Sequence, residues 1–219
     1  MNDARIHTMV QKMAEGLLDY GSGHSHLLLR VMRRLAQGNP VTGAQVDEIV
    51  AELGLAQEDA DPFLRKLTER NAGGQIVGIM GLSLNDYPHR LQVNGVVLSA
   101  WCAEDTLFLP AMLQQTVTVE SPSPISKERI RLTVSPERVE AVSPTSTVIS
   151  IVVVDPTEAS MASVEAIWMT FCNHILFFAS REEAERWAAG KSNIAVLSVD
   201  EGFDLGQQLW SRVLPYVEV

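Results

Sequence analysis

The sequence predicts an α+β protein: a winged-helix-like helical module over residues 1–80, then a mixed, mainly antiparallel β-sheet domain with flanking helices over residues 81–219. Three observations predict it. Apolar residues recur at helical spacing through the first 70 or so residues. Alternating and β-branched runs dominate from about residue 80, and Pro122, Pro124, Pro136, Pro144 and Pro156 punctuate the connections between them. With 219 residues, 46% of them hydrophobic, the chain can bury a sizeable core.

Leu17, Leu18, the Leu27-Leu28-Leu29 run, Val31, Met32 and Leu35 mark the first helical stretch, which Gly38-Asn39-Pro40 stops. Thr42 and Gln45 form a capping-box signature for a helix that runs through Leu53 and closes at Gly54. A further helix starts near Pro62, carries Phe63, Leu64 and Leu67 on its apolar stripe and ends near Asn71-Ala72-Gly73-Gly74. Short strands follow around Gln75–Leu84 and Arg90–Leu98. Arg129–Val134 alternates strictly, predicting one wet and one buried face, whereas the β-branched run Thr147–Val154 predicts a strand covered on both sides. Ser180 and Glu183 make another capping box for a helix ended by Gly190, and Asn193–Val199 is a strand before the last helix.

The charge and composition exclude several classes. A formal net charge of −10 repels phosphate backbones, and over Gln57–Arg70, where a recognition helix would lie, four acids outnumber three bases. Nucleic acid is therefore not an expected partner, and the N-terminal part reads as a packing or substrate-covering module. No run approaches the roughly 20 apolar residues of a membrane span, and Met-Asn-Asp-Ala-Arg-Ile-His lacks the apolar stretch of a secretion signal, so the expected location is the cytoplasm. In that compartment the two cysteines are expected as thiols rather than a disulfide.

Those cysteines carry the chemistry. Cys102 follows the strand-like Val96-Val97-Leu98 and is read as opening a helix that contains Asp105, Leu107 and Leu109. Positions i and i+3 share a helix face, which lets Cys102 and Asp105 reach one bound atom, and a helix start lowers a thiol pKa. Glu104, between them, should face away. Cys172 precedes His174-Ile175-Leu176-Phe177-Phe178, which reads as a buried strand, and follows Trp168 and Phe171. If the fold joins the two cysteines, they make a soft two-thiolate claw with a carboxylate beside it, suited to a thiophilic metal such as mercury. Taken singly, each cysteine also fits a core position.

Several ordered motifs resemble the organomercurial (alkylmercury) lyases of mercury-resistance operons. They are Ala100-Trp101-Cys102-Ala103-Glu104-Asp105-Thr106-Leu107 with Pro110-Ala111, Leu132-Thr133-Val134-Ser135-Pro136, Phe171-Cys172-Asn173-His174 with Phe177-Phe178-Ala179-Ser180, and Ser198-Val199-Asp200-Glu201 with Leu205-Gly206-Gln207. The resemblance is good over residues 75–219 and looser before them. It implies cleavage of a carbon–mercury bond by protonolysis to a hydrocarbon and Hg(II). Cys102 and Cys172 would ligate mercury, and Asp105 would carry a thiol proton to the departing carbon and lend an oxygen to the Hg(II) product. It further implies no organic cofactor, external small thiols for turnover, a mercuric reductase as a recipient of product, and a monomer or weak homodimer. Many relatives carry a further cysteine before the Leu-Thr-Val-Ser-Pro motif, where this chain has Ser121-Pro122-Ser123-Pro124-Ile125-Ser126.

The residues leave other readings open. Cys102, Asp105, Cys172 and His174 could form a zinc site, although tight Cys-x-x-Cys pairs are missing. Cys102 with His174 could act as a cysteine hydrolase, without a visible oxyanion-hole motif. A thiol-based metal-sensing winged-helix regulator is the reading from the binding class. His24 and His26 are expected as solvated capping-turn residues, the eight methionines as core filler, and Trp101 as either core or pocket wall.

Overall fold

The structure, a computed structural model, describes residues 2–217. It begins with a helix that the sequence pattern had not marked, α1 (Asn2–Lys12), which passes through a π-helical turn at Met13–Leu17 into α2 (Gly21–Leu35). His24 and His26 therefore lie inside α2 rather than in a solvated capping turn. Their rings pack against Phe63 and Tyr216, at centroid distances of 4.6 and 5.1 Å. Helix α3 (Gly43–Glu52) starts with the expected box: Thr42 Oγ1 accepts from the Gln45 N–H, and the Gln45 side chain accepts from the Thr42 N–H at 2.8 Å.

Helix α4 (Gln57–Leu67) buries Ala60, Leu64 and Leu67 but stops before the Asn-Ala-Gly-Gly turn. Thr68 leaves helical geometry and starts β1 (Thr68–Arg70), because β2 (Ile76–Ile79) offers it a ladder partner, Thr68 opposite Ile79. β3 (Leu82–Ser83), β4 (His89–Val93) and β5 (Val96–Ala100) follow. Asn94 and Gly95 both take positive φ, the two-residue turn that suits a tight hairpin. After α5 (Asp105–Leu113) come β6 (Val117–Pro122), β7 (Arg129–Val134) and β8 (Val139–Ser143). Together they complete an eight-stranded sheet in the order β1-β2-β3-β5-β4-β6-β7-β8, every described pairing antiparallel.

The remaining elements are β9 (Val148–Val152), α6 (Val164–Thr170), β10 (Phe177–Phe178), α7 (Arg181–Ala188), β11 (Ile194–Ser198) and α8 (Val199–Leu209). β9 lies between β10 and β11 in a second antiparallel sheet and is buried at every position, as its β-branched run predicts. At the start of α7, Ser180 accepts from the Glu183 N–H, while the Glu183 carboxylate receives the Ser123 hydroxyl at 2.6 Å.

The placement of α5 matters most for the site. All nine of its residues are buried, and it packs on α2, α8 and β7. One hydrophobic core joins the N-terminal helices to residues of both sheets around it.

Candidate active site

β5 delivers Trp101 and Cys102 to the turn before α5, so the helix begins at Asp105 rather than at Cys102. The Asp105 side chain folds back, and its Oδ2 accepts the Cys102 N–H at 2.7 Å. The i, i+3 spacing thus brings acid and thiol together through a capping-type bond. Two further backbone bonds pin the turn. The Trp101 N–H donates to the Gly81 carbonyl at 2.9 Å, and the Ala103 N–H donates to the Ile175 carbonyl at 3.1 Å. The second bond draws together the two segments that carry the cysteines.

Cys172 stands in a 3₁₀ turn, Cys172–His174, and not at the head of a buried strand; strand structure begins only at Phe177. The backbone explains the difference. Phe171 and Cys172 carbonyls accept the His174 and Ile175 N–H groups at 2.9 and 3.3 Å. Ser150 on β9 then takes the Leu176 N–H on its Oγ at 3.0 Å and donates to the His174 carbonyl at 2.8 Å. These groups are occupied before a ladder could claim them.

The result is convergence across 70 residues of sequence. One atom from each of Cys102, Cys172 and Asp105 lies within 4.8 Å of the others, and all three residues are buried. Both cysteines are free thiols. His174 is outside the group among the described residues, and with no strand at 172–174 the shared face needed for a four-ligand zinc site is lost. The hydrolase reading also loses its base, since the groups that meet the Cys102 thiol are Cys172 and Asp105.

The electrostatics reverse one expectation. Burial, helped by the Cys172 thiol and the Asp105 charge, pushes the Cys102 thiol well above its ordinary value instead of letting a helix start lower it. Cys172 is also raised: hydrogen bonding with Cys102 works downward, but burial and the Asp105 charge outweigh it. Burial lifts the Asp105 carboxyl to about 7 against the downward pull of the Cys102 side-chain and backbone bonds. At rest the site therefore holds two protonated thiols around a carboxyl poised near neutrality.

A cavity of about 80 Å³ opens over these groups, lined almost wholly by apolar side chains. Met9, Met13, Met80 and Met161 are among them, so half of the eight methionines read as core filler form cavity wall. Trp101 is both buried and part of the wall, and its indole Nε1 donates to Glu69 at 3.0 Å. Tyr87 and Ser83 hydroxyls donate to the same Glu69 carboxylate, each at 2.5 Å.

Two residues that sequence reasoning missed shape the site. Glu104, expected to face away from Cys102 and Asp105, is buried and lines the same cavity, because the turn before α5 has no wet side. Burial, and then the Asp105 charge, raise its pKa well above the carboxylate range. Gly81, at φ +92°, leaves room for Asp105: a Cβ there would stand 2.7 Å from the Asp105 carboxyl carbon.

The chain is similar to known proteins. The family profile described as MerB, alkylmercury lyase, matches residues 82–211. An alkylmercury lyase of Staphylococcus epidermidis is 40% identical over 184 residues, which span 83% of this chain and 80% of that protein. An alkylmercury lyase of Pseudomonas putida is 32% identical over 208 residues, 93% of each chain. The crystal structure of the mercury-bound form of MerB2 superposes with a TM-score of 0.75 at 26% identity, covering 94% of this chain and 99% of that one.

Proposed function

The chain belongs to the alkylmercury lyase family, whose members cleave carbon–mercury bonds, and we propose that Cys102, Cys172 and Asp105 carry out that cleavage here by protonolysis. The observation that carries the assignment is the convergence of two buried thiols and one carboxyl within 4.8 Å. The family supports the lyase over a thiol-based sensor that binds without cleaving.

The substrate is an organomercury cation, R–Hg⁺, delivered on a small thiol. Cys102 exchanges with that carrier: its sulfur bonds to mercury, and the carrier leaves with a proton as free thiol. Cys172 then bonds to mercury while its proton passes to the Asp105 carboxylate. Two sulfurs push electron density through mercury onto the bound carbon, and the Asp105 carboxylic acid protonates that carbon. R–H departs, Hg(II) stays on two thiolates, and Asp105 returns to carboxylate. A value near 7 suits this role, since the same group must both take a proton from a thiol and give it up. The apolar wall excludes water, which strengthens each of these charge interactions.

Around this core stand further parts of the reading. The helical module over residues 1–80, with α2–α4 and the β1–β2 ribbon in winged-helix order, acts as a cover, because Met9, Met13 and Leu18 close one side of the cavity. No organic cofactor takes part; cellular thiols, then a mercuric reductase, remove Hg(II). The enzyme works in mercury detoxification as a monomer or weak homodimer in the cytoplasm, where reducing thiols keep both cysteines free. No helix among the described residues is long and apolar enough to cross a membrane. Incubation with phenylmercury and excess thiol tests the proposal: wild type releases benzene, and Cys102→Ala, Cys172→Ala and Asp105→Asn release at least 100-fold less. Undiminished release from any of the three removes that residue from the mechanism.

A further inference from the structure

Glu104 is a buried carboxyl that the mechanism above does not use. It is 4% exposed, both side-chain oxygens are shut off from solvent, and neither has a hydrogen-bond partner. An unpartnered buried polar group is costly, so its presence needs a reason. No described ion pair includes it, and the neighbouring charge, Asp105, has the same sign. As a packing element alone, a leucine would serve the position better.

Helix α8 is shaped to receive this carboxyl. Gly202 and Gly206 stand one turn apart on it, both at ordinary negative φ, so neither is there for backbone freedom. Each is unfavourable relative to alanine in a helix interior. A Cβ at Gly206 would come within 2.7 Å of Glu104 Oε1, whereas one at Gly202 would crowd Ile149 and Leu107 at 3.0 Å and stand at ordinary contact distance, 3.6 Å, from Oε2. Gly206 opens the recess, which adjoins the cavity that Glu104 lines with Cys102, Cys172 and Asp105. Glu104 is nevertheless outside the group whose ligand atoms can meet on one metal.

Building on the lyase reading, we propose that Glu104 is a specificity-determining residue. Its carboxyl binds a hydroxyl or amino group on the carbon chain attached to mercury, so the enzyme favours hydrogen-bonding organomercurials over plain hydrocarbon ones of equal size. The cavity is small, about 80 Å³, so the preference is sharpest for short chains.

Two probes of equal heavy-atom count in the organic group test it: 3-hydroxypropylmercury, which gives propanol, and n-butylmercury, which gives butane. The kcat/KM ratio of the first to the second is measured at fixed excess thiol for wild type, Glu104→Leu, Glu104→Gln and Gly206→Ala. The expected ratio falls about 5- to 10-fold in Glu104→Leu, the worth of one lost hydrogen bond, and less in Glu104→Gln. It also falls in Gly206→Ala, whose methyl displaces the carboxyl without altering it. Glu104→Leu is expected to melt at a higher temperature than wild type, which a structural glutamate would not allow. A wild-type ratio in Glu104→Leu overturns the proposal; should that variant not fold, a wild-type ratio in both other variants does so. Absence of propanol and butane from the wild type would instead sink the lyase reading.

Discussion

Gly81 and Asp105 touch so closely that a Cβ at position 81 would lie 2.7 Å from both the carboxyl carbon and Oδ1 of the aspartate. Gly81 also holds φ at +92°, which side-chain-bearing residues rarely adopt, and its carbonyl anchors the Trp101 N–H. Gly81→Ala is expected to push Asp105 out of reach of the mercury-bound carbon. Hydrocarbon release should drop at least 10-fold while two thiols per chain still titrate with Hg(II), and stability should fall by about 1–3 kcal/mol in urea unfolding. Wild-type turnover in this variant would show that Asp105 need not be held where it is.

Glu69 gathers the Trp101 indole, the Tyr87 hydroxyl and the Ser83 hydroxyl on one carboxylate, tying the β1 strand to the residue before Cys102. Removing it orphans three donors. Glu69→Ala is expected to lose about 2–4 kcal/mol of stability, with a shift in tryptophan emission as the indole loosens, and Glu69→Gln to lose less. Equal stability of Glu69→Ala and wild type would contradict the clamp.

Ser150 holds the turn that presents Cys172, through its bonds to the Leu176 N–H and the His174 carbonyl. Ser150→Ala leaves those part-buried groups without this partner. The variant should lose about 1–3 kcal/mol and show a several-fold lower kcat/KM, because the second sulfur is no longer fixed against Cys102. Unchanged kcat/KM would mean that the turn keeps its shape without this bond.

The raised Asp105 value gives a pH signature. Cys102, Cys172, Glu104 and the Tyr87 hydroxyl are the titratable groups around it, and both thiols are raised too. The carboxylate needed to take the thiol proton accumulates above about 7, so kcat/KM should climb through that value, and Asp105→Asn should abolish both the climb and the activity. Stability moves the other way. The folded state keeps the Asp105 proton up to about 7, whereas the unfolded chain releases it near the ordinary 3.8. Between those values wild type loses stability relative to Asp105→Asn as pH rises, by up to a few kcal/mol at about 1.4 kcal/mol per pKa unit. A kcat/KM limb in the ordinary carboxylate range near 4 would contradict the buried acid.

Much of this was legible in the sequence, and the reasons for the rest are local. Thr42 with Gln45 and the β-branched run of β9 announced themselves because capping and double burial depend on neighbouring residues. The Cys102-x-x-Asp105 spacing pointed to one shared site, and the two cysteine segments do meet. Helix α1 escaped notice because its sequence, NDARIHTMVQK, shows no strong apolar stripe, although Met9 reaches the cavity. The depressed thiol pKa failed because a helix dipole is a local argument, while the burial that overrides it comes from the whole fold. Glu104 depends on Gly206, about 100 residues away, so nothing near it in the chain could reveal its recess.

X-ray absorption at the mercury edge of the 1:1 Hg(II) complex, prepared without free thiol, tests most directly whether both sulfurs share one metal. The account predicts two sulfur neighbours per mercury in the wild type and one in either Cys102→Ala or Cys172→Ala. An unchanged first shell on removal of Cys172, or a single sulfur in the wild type, would contradict it.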